Sequence, residues 1–308
     1  MDPINLVAEY KVNRFFRARN KLTQGSLVSH ITQRAAGKDP CFLEDDDFLC
    51  MLGFLKESAQ KYDYEIYSFC LMRNHVHLLL RPNQENLQNA MRDLFSRYAM
   101  RFNRKYERRG HLFGGPYRQA VCLEEAYLIA ASVYIHLNPV KADIVSDSRD
   151  YRWSSARLFI DEPEEISFVN AGFILQMLAD DLQGARDRYR KLLEKGRELP
   201  VDYAKAQEGG LEHFKEKLIS AFPKFFSKIA TAKTVATIDG KEILNMEALE
   251  GQIDEAMAQY GKRKPDSRQA IRFLIEQLIA RGFKRSEIAE RLHISPKTVY
   301  NILKTQRE

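Results

Sequence analysis

The sequence predicts an α+β domain with an antiparallel sheet, followed by an all-α module at its C-terminal end. Three observations predict this. Segments of strand and helix character succeed one another in the order strand, helix, two strands, helix, strand, helix as far as about residue 137, a succession that suits a sheet with helices packed on it. The apolar runs YEIYSFCLM and HVHLLLRP are separated by only two polar residues, Arg73–Asn74, which reads as a β-hairpin. From Ser267 the chain reads as three helical pieces with turn and cap signals between them.

Taken in order, residues 26–34 (SLVSHITQR) are rich in β-branched residues and read as the first strand. The acidic cluster Glu44–Asp47 suits a helix N-terminus, so a helix is expected from there towards Tyr62. The hairpin follows. A long amphipathic helix over about 85–106 sets Leu87, Met91, Leu94, Phe95, Tyr98 and Phe102 on one face. Gly110–Gly115 breaks it, and YRQAVC reads as a strand. A further helix runs from Glu124 to about Leu137 and is expected to end near Asn138, because a proline disfavours helical backbone at the residue before it and Pro139 follows. Residues 171–195 read as helical, and 197–262 as mixed segments. The chain therefore divides as 1–160, a helical extension and linker over 161–262, and 263–308.

Composition narrows the function. At 308 residues and 35.8 kDa the chain is too long for one ordinary core. No apolar run approaches the roughly 18 residues that a membrane span needs, and MDPINLVAEYKVNRFF does not read as a signal peptide. Cys41, Cys50, Cys70 and Cys122 are scattered, with no C-x-x-C pair, so neither a disulfide framework nor a zinc ribbon is expected. A cytoplasmic protein is the expectation. Lys and Arg number 48 against 42 Asp and Glu, for a net +6, a mild excess compatible with nucleic acid.

The candidate residues fall in three groups. His75 and His77 lie at i and i+2 of one strand and so share a face, where both imidazoles can reach one ion; two half-buried strand histidines would look the same. Tyr134 and Asn138 stand one helical turn apart, as a nucleophile beside a metal-liganding oxygen would, although aromatic residues on such helices also serve as core. Arg97, Arg101, Arg104, Lys105, Arg108 and Arg109 are interleaved with Tyr98, Phe102 and Tyr106, the pairing a phosphate-tracking, base-stacking surface uses, and equally a solvated helix face.

The succession HITQR, EIYSFCLMRNHVHLLLRP, RYAMRFNRKYERRGHLF, AYLIAASVYIHLNPVKADIV and DYRWSS resembles the single-tyrosine HUH transposases, in particular the REP-associated tyrosine transposase branch, over about residues 20–160. A weaker likeness in ARDRYRKLLEKG reaches about residue 195. The resemblance implies a ferredoxin-like HUH endonuclease fold with a central antiparallel sheet. It implies His75, His77 and Asn138 as ligands of a divalent metal, Mg2+ or Mn2+, and Tyr134 as the nucleophile that forms a 5′-phosphotyrosine. Two departures stand out: RNHVH replaces the commoner PNH-x-H, and GGPYRQAV, which carries Arg118, stands where relatives show G-R-F-K-S. His136 lies two residues from Tyr134, on another helix face, and is given no metal role.

RSEIAERLHISPKTVYNILK resembles the helix-turn-helix of bacterial regulators and transposases. Ser286 and Ser295 are placed to cap its two helices, Pro296 stands at the favoured first position, and His293 replaces the usual turn glycine. Lys297, Thr298, Tyr300, Asn301 and Lys304 would meet the major groove or its phosphates. Residues 261–308 hold twelve Lys and Arg against five Asp and Glu, a net +7 that exceeds the charge of the whole chain. The expectation is a transposase-like, metal-dependent single-strand DNA endonuclease and strand transferase. It would take single-stranded or hairpin DNA at the first domain and duplex DNA at the last, in the bacterial cytoplasm beside the nucleoid. A homodimer is one assembly open to it, and a domesticated DNA-binding regulator with a vestigial nuclease domain is the alternative.

Overall fold

The computed structural model describes residues 15–16, 27–37, 39–122, 124–162, 167–199, 210–230, 237–238, 241–242, 246–259, 266–280 and 283–304. Five strands form the main sheet: β1 (Phe15–Phe16), β2 (Ser29–Arg34), β3 (Tyr64–Met72), β4 (His75–Pro82) and β5 (Arg118–Val121), in the order β1-β5-β2-β4-β3. Every pair is antiparallel. The hairpin closes on Arg73–Asn74 with Met72 opposite His75. β2 lies between β4 and β5, so its residues alternate between two covered faces. His30 meets the ring of Tyr134 on one face, and Gln33 lies beside the long second helix on the other.

Helix α1 (Asp45–Tyr62) starts as its acidic residues predict. Asp47 accepts the backbone N–H groups of Leu43 at 2.9 Å and Glu44 at 3.2 Å, closing the first turn. Helix α2 (Leu87–Lys105) buries the six apolar residues named for it. Its C-terminal end meets the start of α1, where Lys105 pairs with Asp46 and Asp47, each at 2.8 Å, and with Glu44.

Helix α3 corrects the expectation of an end near Asn138: it runs from Glu125 to Lys141 with Pro139 inside. Proline removes one N–H from the helix ladder. Here Asn138 supplies a substitute, donating from Nδ2 to the carbonyl of Tyr134 at 2.8 Å and to that of Ile135 at 3.4 Å. Beyond the proline, Ala142 N–H returns to Asn138 O and Ile144 N–H to Pro139 O, both at 3.0 Å. All residues from Ala126 to Val140 are buried, because the sheet covers one side of the helix and later helices cover the other.

Most of those later helices occupy the stretch read as extension and linker. Short helices α4 (Ala156–Ile160) and α5 (Gly172–Leu175) precede α6 (Leu182–Glu198). The single helix expected over 171–195 is thus two, because Asp181 accepts the Gly184 N–H at 2.7 Å and starts a new one. Helices α7 (Gly210–Ala221) and α8 (Pro223–Ala230) also pack on α3. Close approach of α6 is possible because residue 196 is glycine; a Cβ there would come within 2.7 Å of Leu137 and 3.2 Å of Phe214.

His136 ties α3 to its surroundings and faces away from Tyr134. Its Nδ1 lies 2.7 Å from Tyr189 Oη and its Nε2 2.8 Å from Ser155 Oγ. Tyr189 in turn donates to Ser132 Oγ at 3.1 Å, and Ser132 to the carbonyl of Ile129 at 2.8 Å. With the tyrosine proton spent on Ser132, Nδ1–H donates to Tyr189; burial keeps the imidazole neutral, so Nε2 accepts from Ser155, whose Oγ also takes the Phe69 N–H at 2.8 Å.

Helices α9 (Met246–Gln259), α10 (Asp266–Ala280), α11 (Arg285–Arg291) and α12 (Pro296–Lys304) form a second core with Ile271, Leu274, Ile288, Ala289, Leu292, Val299 and Ile302. Leu27 and Val121 of the sheet region belong to the same cluster. Ser295 caps α12 as expected, accepting Thr298 N–H at 3.0 Å. Ser286 does not cap α11: the helix begins one residue earlier, and Glu287 accepts the Lys284 N–H at 2.6 Å instead. His293 adopts φ +48°, the left-handed geometry a glycine would otherwise serve in this turn. No helix among the described residues is long and apolar enough to cross a membrane.

Burial holds the pKa of His136 down to about 3. An unfolded chain binds a proton there below about 6.5 and the folded one does not, so stability is expected to fall as pH drops from about 6.5 towards 3. Replacing His136 by Ala removes one partner from each of the Tyr189 and Ser155 hydroxyls and leaves a cavity, and should lower unfolding free energy by about 2–4 kcal/mol. Urea denaturation across this pH range measures both effects, the variant losing part of the pH slope.

Candidate functional site

The β2–β4 register sets the site's floor. Thr32 lies opposite His77 and Arg34 opposite His75. One face of these two strands therefore carries His30, Thr32 and Arg34 beside His75 and His77. The rings of His75 and His77 meet edge to face at 4.8 Å, and those of His30 and His77 stack at 5.1 Å. Helix α3 crosses above and brings Tyr134 to the same place, its ring 6.0 Å from His77 and 6.3 Å from His30. One turn on, the Asn138 side chain comes close enough to His75 to favour its protonated form. Because Nδ2 of Asn138 is committed to the helix carbonyls, the amide oxygen is the atom that faces the histidine.

Burial is the first cause of every titration shift here. It lowers His75 to about 4, with the Arg34 charge acting in the same direction and Asn138 against. His30 falls to about 4 by burial alone. His77 is pushed well below its ordinary value by burial, then by His75, His30 and Arg34. Tyr134 rises to about 12 for the same reason. At neutral pH the imidazoles therefore offer lone pairs and the phenol keeps its proton.

The donor set fits a divalent cation. Nδ1 of His75 lies 2.7 Å from Asn74 Oδ1, and a donated proton there leaves Nε2 as a lone pair. Nδ1 of His77 lies 2.9 Å from His30 Nε2 and 3.3 Å from Thr32 Oγ1, and in the tautomer that donates from Nδ1 its Nε2 is a lone pair. Two imidazole nitrogens and a carboxamide oxygen, each steadied from behind, are ligands a cation such as Mg2+, Mn2+ or Zn2+ accepts. The acidic group Glu44, Asp46 and Asp47 also brings three ligand atoms within 4.8 Å of one another. The Lys105 ammonium already lies among them, so a cation's place is taken.

His30 and Arg34 were not singled out from the sequence. Both lie in HITQR, but their place beside the H-x-H pair depends on which strands pair and in what register, and one strand's sequence does not carry that.

The basic run divides in two. Arg97 pairs with Glu57 at 2.7 Å, Arg101 with Asp46 at 2.9 Å and Arg108 with Asp39 at 3.2 Å, while Lys105 serves the acidic cluster. Arg104 and Arg109 are exposed. Arg118 is half-buried on β5, opposite Thr32. In the C-terminal module Lys297, Tyr300 and Asn301 are exposed, and the Arg285 guanidinium lies over the Tyr300 ring at 5.4 Å. Thr298 is half-buried, with Oγ1 2.8 Å from Ser295 Oγ. Lys304 ends α12, and its side chain lies outside the described residues.

Residues 24–138 match the family described as "Transposase IS200 like", and residues 266–308 match "Homeodomain-like domain". The chain thus joins a domain resembling DNA-processing transposases to a helix-turn-helix of DNA-binding type. A similar solved structure is described as "Structure of the REP associates tyrosine transposase bound to a REP hairpin"; it is 12% identical, has a TM-score of 0.40, and the match covers 51% of this chain and 94% of that one. No curated protein matches.

Asn138 does two things at once, and one can be isolated. Asn138→Asp keeps an oxygen towards His75 but has no N–H for the Tyr134 and Ile135 carbonyls. At neutral pH it is expected to cost about 1–3 kcal/mol of stability by chemical denaturation, whereas an unchanged midpoint would show that the amide does not sustain the helix past Pro139.

Proposed function

We propose that the chain is a metal-dependent single-strand DNA endonuclease and strand transferase that uses Tyr134 as its nucleophile, on single-stranded or hairpin DNA. The observation that carries this reading is the meeting of His75, His77, Asn138 and Tyr134, from a hairpin strand and a helix more than fifty residues further along the chain, on one buried face. The two transposase-like and helix-turn-helix matches support it at the level of DNA processing.

In this reading His75 Nε2, His77 Nε2 and Asn138 Oδ1 hold the cation, Mg2+ or Mn2+. A bound divalent cation would supply charge neutralisation for a scissile phosphate and orient it. The rest falls to the chain itself. Tyr134 Oη attacks phosphorus in line. The P–Oη bond forms as the bond from phosphorus to the 3′ oxygen breaks, leaving a 5′-phosphotyrosine and a free 3′-hydroxyl. The phenol proton passes by way of solvent to the departing oxygen, so the ester bond is conserved and a 3′-hydroxyl can reverse the step. Exposed Arg34 lies at the mouth of the site, opposite His75, where it balances phosphate charge. With its pKa raised to about 12, Tyr134 ionises only when that positive surround is complete, which restrains attack until DNA is seated. Residues 266–308 would hold duplex DNA alongside, through Lys297, Tyr300, Asn301 and Lys304.

Incubation of the wild type with Mn2+ and labelled single-stranded hairpin oligonucleotides should trap a covalent adduct on a denaturing gel. Tyr134→Phe should abolish the adduct while leaving oligonucleotide affinity within about twofold, since a single hydroxyl is lost; an adduct from that variant sinks the assignment. His30→Ala removes the group behind His77 and should weaken Mn2+ binding by about 10–100-fold in calorimetry, with His30→Asn recovering part of it.

A further inference from the structure

The face of β2 away from the histidines opens onto a groove of about 870 Å3, between the exposed side of α2 and the loop over residues 110–117. Gln33 lines it, whereas the neighbouring Thr32 bonds His77 on the opposite face. Groove and histidine site thus lie back to back at one end of the sheet. Two glycines let the loop stand off the helix, Gly110 at φ +91° and Gly115 at φ +151°, geometries that L side chains rarely adopt.

The chemistry of the walls is specific. Phe113 is half-buried and held edge-on to Phe95 at 5.4 Å, so that both rings contribute to one apolar wall. Met100, five residues after Phe95 on α2 and 64% exposed, also lines the groove. No Asp or Glu lines the groove, and its full charge is that of Arg92. Arg104 and Arg109 are exposed further along the same helix and its exit. Asn103 donates Nδ2 to the Gly110 carbonyl at 2.9 Å and ties the helix to the loop, while exposed Gln88, nearer the start of α2, presents its carboxamide in the groove. Aromatic and thioether walls suit a flat ring, a carboxamide oxygen suits an exocyclic amino group, and the Arg92 guanidinium suits a phosphate beside that ring. An apolar peptide or an acyl chain would use the walls alone.

We propose that this groove holds one unstacked base of the DNA strand, and so helps to decide which sequence is cut. The proposal rests on the single-strand endonuclease reading above and adds to it a base-reading site separate from the histidine face.

The test uses the full chain and a fluorescent pool of random-sequence single-stranded oligonucleotides, with excess unlabelled duplex to occupy the C-terminal module. Ser96→Glu places a carboxylate on the exposed helix face inside the groove, Met100→Ala removes one wall, and Gln60→Glu adds the same charge to exposed α1 as a control. Ser96→Glu and Met100→Ala are each expected to lower single-strand affinity by about tenfold, with thermal midpoint and duplex binding unchanged, and Gln60→Glu to have little effect. Photo-crosslinking of the wild type to a pool carrying 5-iododeoxyuridine should mark peptides containing Met100 or Phe113, independently of any variant's folding. Unchanged affinity in both groove variants, an equal loss in Gln60→Glu, or crosslinks confined to other surfaces would overturn the groove proposal and leave the endonuclease reading standing. A wild type that binds no single strand would overturn that reading, and the groove with it.

Discussion

The arrangement of the site depends on the two hydrogen bonds that Asn138 gives to the carbonyls of Tyr134 and Ile135. Pro139 deletes a donor from the last turn of α3, and without a replacement the helix would fray beside His75. The replacement comes from the residue that also faces His75. One amide thereby has two uses: its nitrogen repairs the helix, and its oxygen is the atom left for the imidazole. The helical continuity that places Tyr134 one turn away is maintained by the same group that completes the donor set. Helix integrity and ligand geometry are a single constraint.

That coupling also explains what the sequence could and could not disclose. The hairpin was legible because a two-residue polar turn between apolar runs has few alternatives, and its observed turn is Arg73–Asn74. The apolar stripe of α2 was legible because its period is helical. The end of α3 was misread, because the rule that proline ends helices counts backbone donors and omits a side chain able to substitute for one. The partnership of His77 with His30 was hidden for a different reason. It arises from the pairing of β2 with β4, 47 positions apart, at a register in which Thr32 faces His77, and shifting that register by one residue would turn His30 to the opposite face. The Asn138, Tyr134 and H-x-H pieces each followed from spacing within an element; their convergence follows only from the order of strands.

Charge tells a similar story. The run from Arg97 to Arg109 looks like a single basic surface when read along the chain. In the fold, Arg97, Arg101, Lys105 and Arg108 turn towards acidic residues of α1 and the loop before it. Asp47 shows the cost and its remedy: burial opposes its ionised form, yet its pKa remains below the ordinary value because Lys105, Tyr106 and two backbone N–H groups all bond it. Four of the run's six charges are therefore structural, tying α2 and its exit to α1 and the loop before it. Arg34, which no local charge cluster marks, is the arginine whose charge acts on His75 and His77.

The helices after residue 180 give the interior its depth. A helix lying on a sheet ordinarily shows a polar face, and α3 has none between Ala126 and Val140. The reason is a second layer: α6 comes close enough to exclude a Cβ at Gly196, and Phe214 of α7 meets the Tyr134 ring at 5.7 Å. This cover leaves Tyr134 5% exposed and raises its pKa, and the same desolvation keeps His75 and His77 neutral. A tyrosine on a bare helix would ionise at its ordinary value beside histidines that carry protons in mild acid. Burial moves the two in opposite directions, because it disfavours charge of either sign. The segment that reads as a mere extension of the first domain is therefore what gives that domain's candidate nucleophile and ligands their chemical state.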